Sequence, residues 1–261
     1  MEHTSELSPG AMPPSDSRME LPPLEILLED GPVFVVNKPA GLLTQGVPQG
    51  IPTLESQVKA YLKARFNKPG NVYLGIPHRL DRAVSGVVVF ARNSKAARRL
   101  AEQFQTRQVR KIYWGVVEKP PDPPQGTLTD WLQKVPAEAR AEIVLPGTPS
   151  ARDCALSYRT LVTAAGIALL EIVPLTGRMH QIRAQLASRG WCLVGDSLYG
   201  ARTALTDQCT DRRAEPIALH ARSLTFLHPV RYEELIVTAP LPGIWKRLDF
   251  LVNAAAGPSA V

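Results

Sequence analysis

The sequence predicts an α+β fold with a mixed, largely antiparallel central sheet flanked by helices. Three observations carry that expectation. β-rich runs follow one another across short turns, only a few stretches space their apolar residues as a helix does, and no repeat of fixed period runs along the chain.

Taken in order, Glu25 to Glu29 and Val33 to Asn37 are β-rich runs joined by the turn sequence Asp30-Gly31-Pro32, which predicts a hairpin. Leu54 to Phe66 places Leu54, Val58, Tyr61 and Leu62 at helical spacing. Gly86 to Ala91 reads as a strand and leads into a helix from about Lys95 to Arg107. Ser94 can cap that helix, and Ala97, Leu100, Ala101 and Phe104 form its apolar stripe. A strand returns over Lys111 to Val117. The Pro-rich Lys119 to Gln125 is a domain linker or a surface loop, and its brevity favours the loop. Cys154 to Val162 and Ile167 to Pro174 are strands around Ala164-Ala165-Gly166. A helix is predicted from about Gly177 to Arg189, closed by Gly190, and strand-like runs follow at Ile217 to Phe226 and Leu235 to Thr238.

The ends differ in composition. Residues 1–22 are rich in Pro, Ser, Glu and Gly and cannot bury enough apolar surface to offset the entropy of ordering, so a disordered tail is expected there. A flexible C-terminal tail is expected over 251–261, where small residues, Gly and Pro dominate from Asn253 onward. One folded domain then spans 23–250.

Net charge is +6 at pH 7. The first twenty residues set Glu2, Glu6, Asp16 and Glu20 against Arg18, a net of −3, so the remaining body carries +9. A body this basic attracts polyanions, nucleic acid first and anionic membrane surface second, although charge alone does not separate these from a merely soluble basic protein. Cys154, Cys192 and Cys209 are odd in number and lack CxxC spacing, which indicates neither a disulfide framework nor a zinc knuckle. The uncharged stretch Thr160 to Leu170 is too short to span a bilayer, and residues 1–20 have no apolar signal core. A cytoplasmic protein without a membrane span is expected.

Three stretches carry chemistry. His78-Arg79-Leu80-Asp81-Arg82-Ala83-Val84-Ser85-Gly86 is a charged loop set directly before the apolar strand Val87-Val88-Val89-Phe90, the setting in which a rigid scaffold presents a reactive group. Read alone, Asp81 is more often a turn or capping residue than a catalyst. Thr176-Gly177-Arg178-Met179-His180-Gln181-Ile182-Arg183 opens a helix, and Arg183 falls at the margin of the stripe formed by Met179, Ile182 and Leu186. An arginine turned toward the interior needs an anion, unless its stem snorkels and its head stays in water. Were it to meet Asp81, the cation would hold the carboxylate ionised and oriented. Finally Arg92, Lys95, Arg98, Arg99, Arg107, Arg110 and Lys111 precede Tyr113 and Trp114, with Glu102 the one acid among them. Such a face is solvated in most proteins, yet here it suits phosphates, with aromatics on which an unstacked base can rest.

Together these segments resemble the RluA-type family of RNA pseudouridine synthases. The matching pieces are Val36 to Leu43, His78 to Gly86, Lys111-Ile112-Tyr113, Thr176 to Arg183, Val194-Gly195-Asp196-Ser197-Leu198-Tyr199-Gly200 and Leu219-His220-Ala221-Arg222, in the family's order over roughly residues 25 to 242. Val84 and Met179 stand where a threonine is frequent.

The resemblance implies a pseudouridine synthase-like fold with a central RNA-binding cleft and isomerisation of uridine within RNA. The base leaves C1′ of its ribose, turns over and is rejoined through C5. By resemblance Asp81 is the catalytic aspartate, Tyr113 the active-site tyrosine, Arg183 the basic partner of the aspartate and Arg79 the arginine that replaces the extruded base. Lys38, His78, Arg82, Arg178 and His180 lie in the matched motifs and are expected to contact RNA. A carboxylate can stabilise positive charge on the sugar, attack it or take a proton from it, and the resemblance does not choose among these. The reaction implies no cofactor and no metal. The expected partner is ribosomal or transfer RNA, and the expected state is a monomer. Many members carry an N-terminal RNA-binding domain resembling a ribosomal-protein module. Here only a short tail precedes the motifs, so target choice is expected to rest on the catalytic domain. Two other readings compete: a non-catalytic RNA-binding or ribosome-assembly protein, and a metal-dependent hydrolase built on His78, Asp81, His180 and Asp196.

Overall fold

The computed structural model describes residues 22–46, 51–206 and 214–256. Most of the N-terminal tail, Cys209 and residues 257–261 lie outside them.

The strands are β1 (Glu25–Asp30), β2 (Val33–Lys38), β3 (Ser85–Ala91), β4 (Arg110–Val117), β5 (Gln125–Val135), β6 (Arg140–Val144), β7 (Arg152–Ala164), β8 (Ile167–Pro174), β9 (Leu219–Leu227) and β10 (Glu234–Thr238). They form one sheet in the order β1-β2-β3-β9-β4-β8-β7-β5-β6, with β10 beside β9. Every pairing is antiparallel except that of β3 with β9, where Ser85 faces His220 and Gly86 faces Ala221. The expected mixed, largely antiparallel sheet is present.

Helices α1 (Leu54–Arg65) and α3 (Gln181–Ala187) cover one face, and α2 (Ser94–Gln105) covers part of the other. Side chains alternate across a strand, so Phe34, Val36, Val88 and Phe90 pack with Leu54, Val58, Leu62, Ile182 and Leu186. Their neighbours Val33, Val35, Val87 and Val89 pack with Ala96 and Leu100. Burial on both faces explains why β2 and β3 read as continuous apolar runs rather than alternating ones.

Several expectations are corrected. The cap of α2 is Asn93, whose side chain accepts from the Ala96 N–H, and not Ser94. Strands β5 and β6 are additions to the expected elements: their outward positions are polar and their buried residues are few, chiefly Leu128, Leu132 and Ala141. Helix α3 begins at Gln181 rather than Gly177. Thr176 and Gln181 hold each other side chain to side chain at 2.7 Å, the Arg178 N–H donates to Gln181 Oε1, and His180 takes a left-handed φ of 53° that stops the helix from starting earlier. At the C-terminus, α4 (Asp249–Ala256) occupies the first part of the supposed flexible stretch, because Leu251 is fully buried beside Trp245 and Leu248. Among the described residues no helix is long and apolar enough to cross a membrane.

Candidate active site

The loop from His78 to Val84 is clamped on both sides of Asp81. Leu80 exchanges both its backbone groups with Thr44, whose hydroxyl donates to the Leu80 carbonyl and accepts from its N–H. On the other side, the Arg82 carbonyl accepts from Lys38 Nζ and from the Gly41 N–H, and Arg82 Nε donates back to the Gly41 carbonyl. Gly86 ends the loop at φ 118°, where an added Cβ would lie 2.3 Å from the Ala221 carbonyl oxygen. Only glycine lets β3 run against β9 there.

These clamps overturn one expected RNA contact, Lys38, and give Arg82 and His78 a structural task in the loop. Lys38 is fully buried, and its ammonium donates to the carbonyls of Pro39, Leu42 and Arg82 at 2.9, 2.7 and 3.2 Å. Burial pulls its pKa down to about 7 while the Asp81 carboxylate pulls the other way. Arg82 is held on Gly41. His78 Nε2 accepts from the Val89 N–H, and its ring stacks on Phe104 with centroids 4.5 Å apart. Burial first, then the nearby Lys111 charge, lowers the His78 pKa to about 3, so it is a neutral acceptor that ties the loop to β3.

Arg183 is buried, and its nearest anion is not Asp81. Its Nε and Nη2 each lie 2.7 Å from the two oxygens of Asp196, itself 1% exposed. The remaining nitrogen, Nη1, lies 3.2 Å from His180 Nε2 and 3.9 Å from Asp81 Oδ2. The expected pairing of Arg183 with Asp81 exists, but as the outer contact of a guanidinium already forked on Asp196. Burial opposes the charge of Arg183, and the Asp196 fork together with the Asp81 field keeps it fully cationic.

The same geometry fixes the tautomer of His180. A guanidinium only donates, so His180 Nε2 accepts from Arg183 and Nδ1 carries the proton. That proton goes to Tyr199 Oη at 3.0 Å, while Tyr199 donates to the Ala141 carbonyl and accepts from the Ala141 N–H. His180 is therefore neutral, with its pKa lowered by burial, and its Nε2 lies 3.7 Å from Asp81 Oδ2. The Tyr199 ring lies beneath the Arg183 guanidinium at 4.9 Å. From β5, Asp130 fastens the far end of α3 through Gln185 and Arg189 at 2.7 and 2.8 Å.

A cavity of about 460 Å³ opens over this network, within the size range of ligand sites. Asp81, Tyr113, Arg183, His180, His78, Arg79 and Arg178 line it, and Lys38 and Arg82 do not. Tyr113 reaches it from β4 at a bulge between Ile112 and Tyr113 in the pairing with β9. Burial, reinforced by Asp81, pushes the Tyr113 hydroxyl far above its ordinary pKa and keeps it protonated. Trp114 faces the opposite side of the strand and sits against Arg222, so the expected aromatic pair is split. The expected basic face is divided too. Arg92 pairs with Glu29, Arg99 donates to the Pro229 carbonyl, and Arg107 and Lys111 line the cavity. Val84 is a buried core residue, and Met179 packs beside Leu132, Ala141 and Cys154.

The metal-hydrolase reading loses Asp196, both of whose oxygens are taken by Arg183, and the Nε2 of His78, which is taken by the Val89 N–H. Among the described residues no cluster of three or more His, Cys, Asp or Glu is arranged for a metal ion. Nothing in the sequence pattern alone marks Thr44, Asp130 or Tyr199 as functional. Only the motif spanning Val194 to Gly200 held a signal for Tyr199.

A mixed sheet that presents one clamped carboxylate opposite a fixed guanidinium, in an open cavity edged by cations, defines a single-carboxylate enzyme for an anionic substrate. Residues 32–188 match the RNA pseudouridylate synthase family, and the chain belongs to that family, making it an isomerase acting on RNA. It is 36% identical over 229 residues to the ribosomal large subunit pseudouridine synthase D of Xylella fastidiosa, covering 84% of this chain and 66% of the relative. Over 230 residues it is 33% identical to the dual-specificity RNA pseudouridine synthase RluA of Vibrio vulnificus, covering 84% and 81%. Among solved structures, human RNA pseudouridylate synthase domain containing 4 superposes with a TM-score of 0.67 at 27% identity, covering 89% of this chain and 92% of that one.

Proposed function

We propose that this protein converts specific uridines of ribosomal or transfer RNA to pseudouridine, with Asp81 as the catalytic residue. The observation that carries the reading is the 3.9 Å approach of Asp81 to a guanidinium whose other two nitrogens are locked on Asp196, at the wall of an open cavity. The name of the Xylella relative supports ribosomal RNA, and that of the Vibrio relative supports an RNA substrate of more than one kind.

In the reaction the C1′–N1 bond breaks, the uracil turns over, a C1′–C5 bond forms, the C5 proton leaves and N1 gains one. Substrate and product are isomers, so nothing is oxidised and no group is consumed. Breaking the glycosidic bond builds positive charge at C1′, which a carboxylate held beside it stabilises, captures or relieves by taking a sugar proton. Arg183 is a positioning residue that keeps the carboxylate aimed. Tyr113, protonated and half-buried, walls the cavity as a flat donor surface for the turned base. Flipping the nucleotide costs a few kcal/mol. Arg79 is exposed and lies on the ridge at the cavity edge, which suits it to fill the space the base vacates.

The test is tritium release from RNA labelled at uridine C5, with large-subunit ribosomal RNA and bulk transfer RNA transcribed in vitro as substrates. Release from one of them supports the reading. No release from either, by a folded protein that binds them, would overturn it.

A further inference from the structure

A second groove, of about 770 Å³, begins on the far side of Arg79 and Asp81 and runs along the end of the β5–β6 hairpin. It shares Arg79, Asp81, Gly177 and Arg178 with the cavity and adds Leu132, Lys134, Ser150 and Arg152. Leu132 of β5 pairs directly with Arg152 of β7, and Lys134 lies two residues further along β5, so all three side chains share one face of the sheet. Lys134 and Arg152 are exposed, and neither has an acidic partner among the described residues. Arg178 differs, being tied to Asp153 through its Nε and Nη2.

We propose that this groove binds the RNA backbone adjoining the target uridine, with Lys134 and Arg152 each meeting a phosphate. The inference rests on the synthase reading and extends it beyond the cavity. A polynucleotide that places one base beside Asp81 must continue past Arg79, and the groove is the concavity that starts there. Unanswered cations along an open groove attract phosphates while leaving base edges unread. The groove thus contributes affinity and direction of the strand rather than choice of sequence.

The test uses the Asp81→Asn protein, so that nothing turns over, with fluorescent oligouridylates of three and twelve nucleotides titrated across a series of salt concentrations. The twelve-mer should bind tighter than the trimer. Lys134→Ala with Arg152→Ala should weaken the twelve-mer about tenfold and lower its salt slope by about 1.4, roughly 0.7 for each phosphate lost on a single strand. The trimer should be unaffected, the melting temperature should hold, and Lys134→Arg with Arg152→Lys should retain the slope. An unchanged slope for the twelve-mer, an equal loss on the trimer, or no advantage of length in the parent would each overturn the proposal. Binding is read without turnover, so failure of the groove is distinct from absence of tritium release by the unmutated enzyme, which would sink the synthase reading instead.

Discussion

Asp196 grips Arg183 with both carboxylate oxygens at 2.7 Å, and that grip leaves one guanidinium nitrogen to face Asp81 at 3.9 Å. A buried cation with a single anion would have to settle on it. With Asp196 carrying the pair, Asp81 can stay open to the cavity, its side chain 29% exposed, while still standing in a directed positive field.

The first prediction follows from this division of labour. Asp196→Asn should leave the Arg183 charge buried without its main partner, lowering stability by about 3 kcal/mol or more, the scale for breaking a buried pair. Turnover should fall at least tenfold at saturating RNA, because Arg183 is freed to close on Asp81. Chemical denaturation and single-turnover tritium release would measure the two effects. A variant with unchanged stability would show that the fork does not carry the load assigned to it.

Asp81→Asn is close in shape and keeps the clamps at Leu80 and Arg82, none of which uses the Asp81 side chain. Fold and RNA affinity should persist within about twofold while tritium release disappears, a loss of many orders if the carboxylate is the group that meets the sugar. Residual release near the unmutated rate would remove Asp81 from the mechanism.

Acid sensitivity has a defined sign. His78 and His220 have folded pKa values lowered from 6.5 to about 3 and about 4 by burial, so the unfolded chain binds protons that the folded chain refuses. The stability these two histidines contribute should be complete above pH 6.5 and be lost as pH falls below it, with the loss levelling near pH 3 to 4. The slope is about 1 to 2 kcal/mol per pH unit for the pair, allowing for partial access of water to His78. Between pH 6.5 and 5 ordinary carboxylates contribute little, so urea unfolding in that window isolates the histidines. A flat profile there would contradict their burial as neutral rings.

Much of this was legible from the residues, for identifiable reasons. β3 was readable because Val87 to Phe90 is buried on both faces and so had to be apolar throughout. Arg183 was legible as an interior arginine because its neighbours Ile182 and Leu186 point the same way. Its fork partner was not, since Asp196 is brought in by a loop whose course depends on tertiary packing. Strands β5 and β6 left little trace because one face of each is solvated and polar. Yet Asp130 of β5 holds α3 and thereby Arg183, so an element invisible in the pattern positions the most visible motif.

Lys38 shows where motif reasoning and burial part company. Read in sequence it is a cation near a charged loop and a natural phosphate contact, but its three donors are spent on three carbonyls, one of them belonging to the residue after Asp81. A phosphate contact and a loop clamp make opposite predictions. Lys38→Met should strand those carbonyls at a cost of about 2 to 4 kcal/mol, several unmade hydrogen bonds partly rescued by relaxation. It should lower turnover by loosening Asp81, and it should leave the salt slope of RNA binding unchanged, because no phosphate is lost. A shallower slope with intact stability would instead return Lys38 to the RNA interface and detach the Lys38 to Leu42 segment from the support of Asp81.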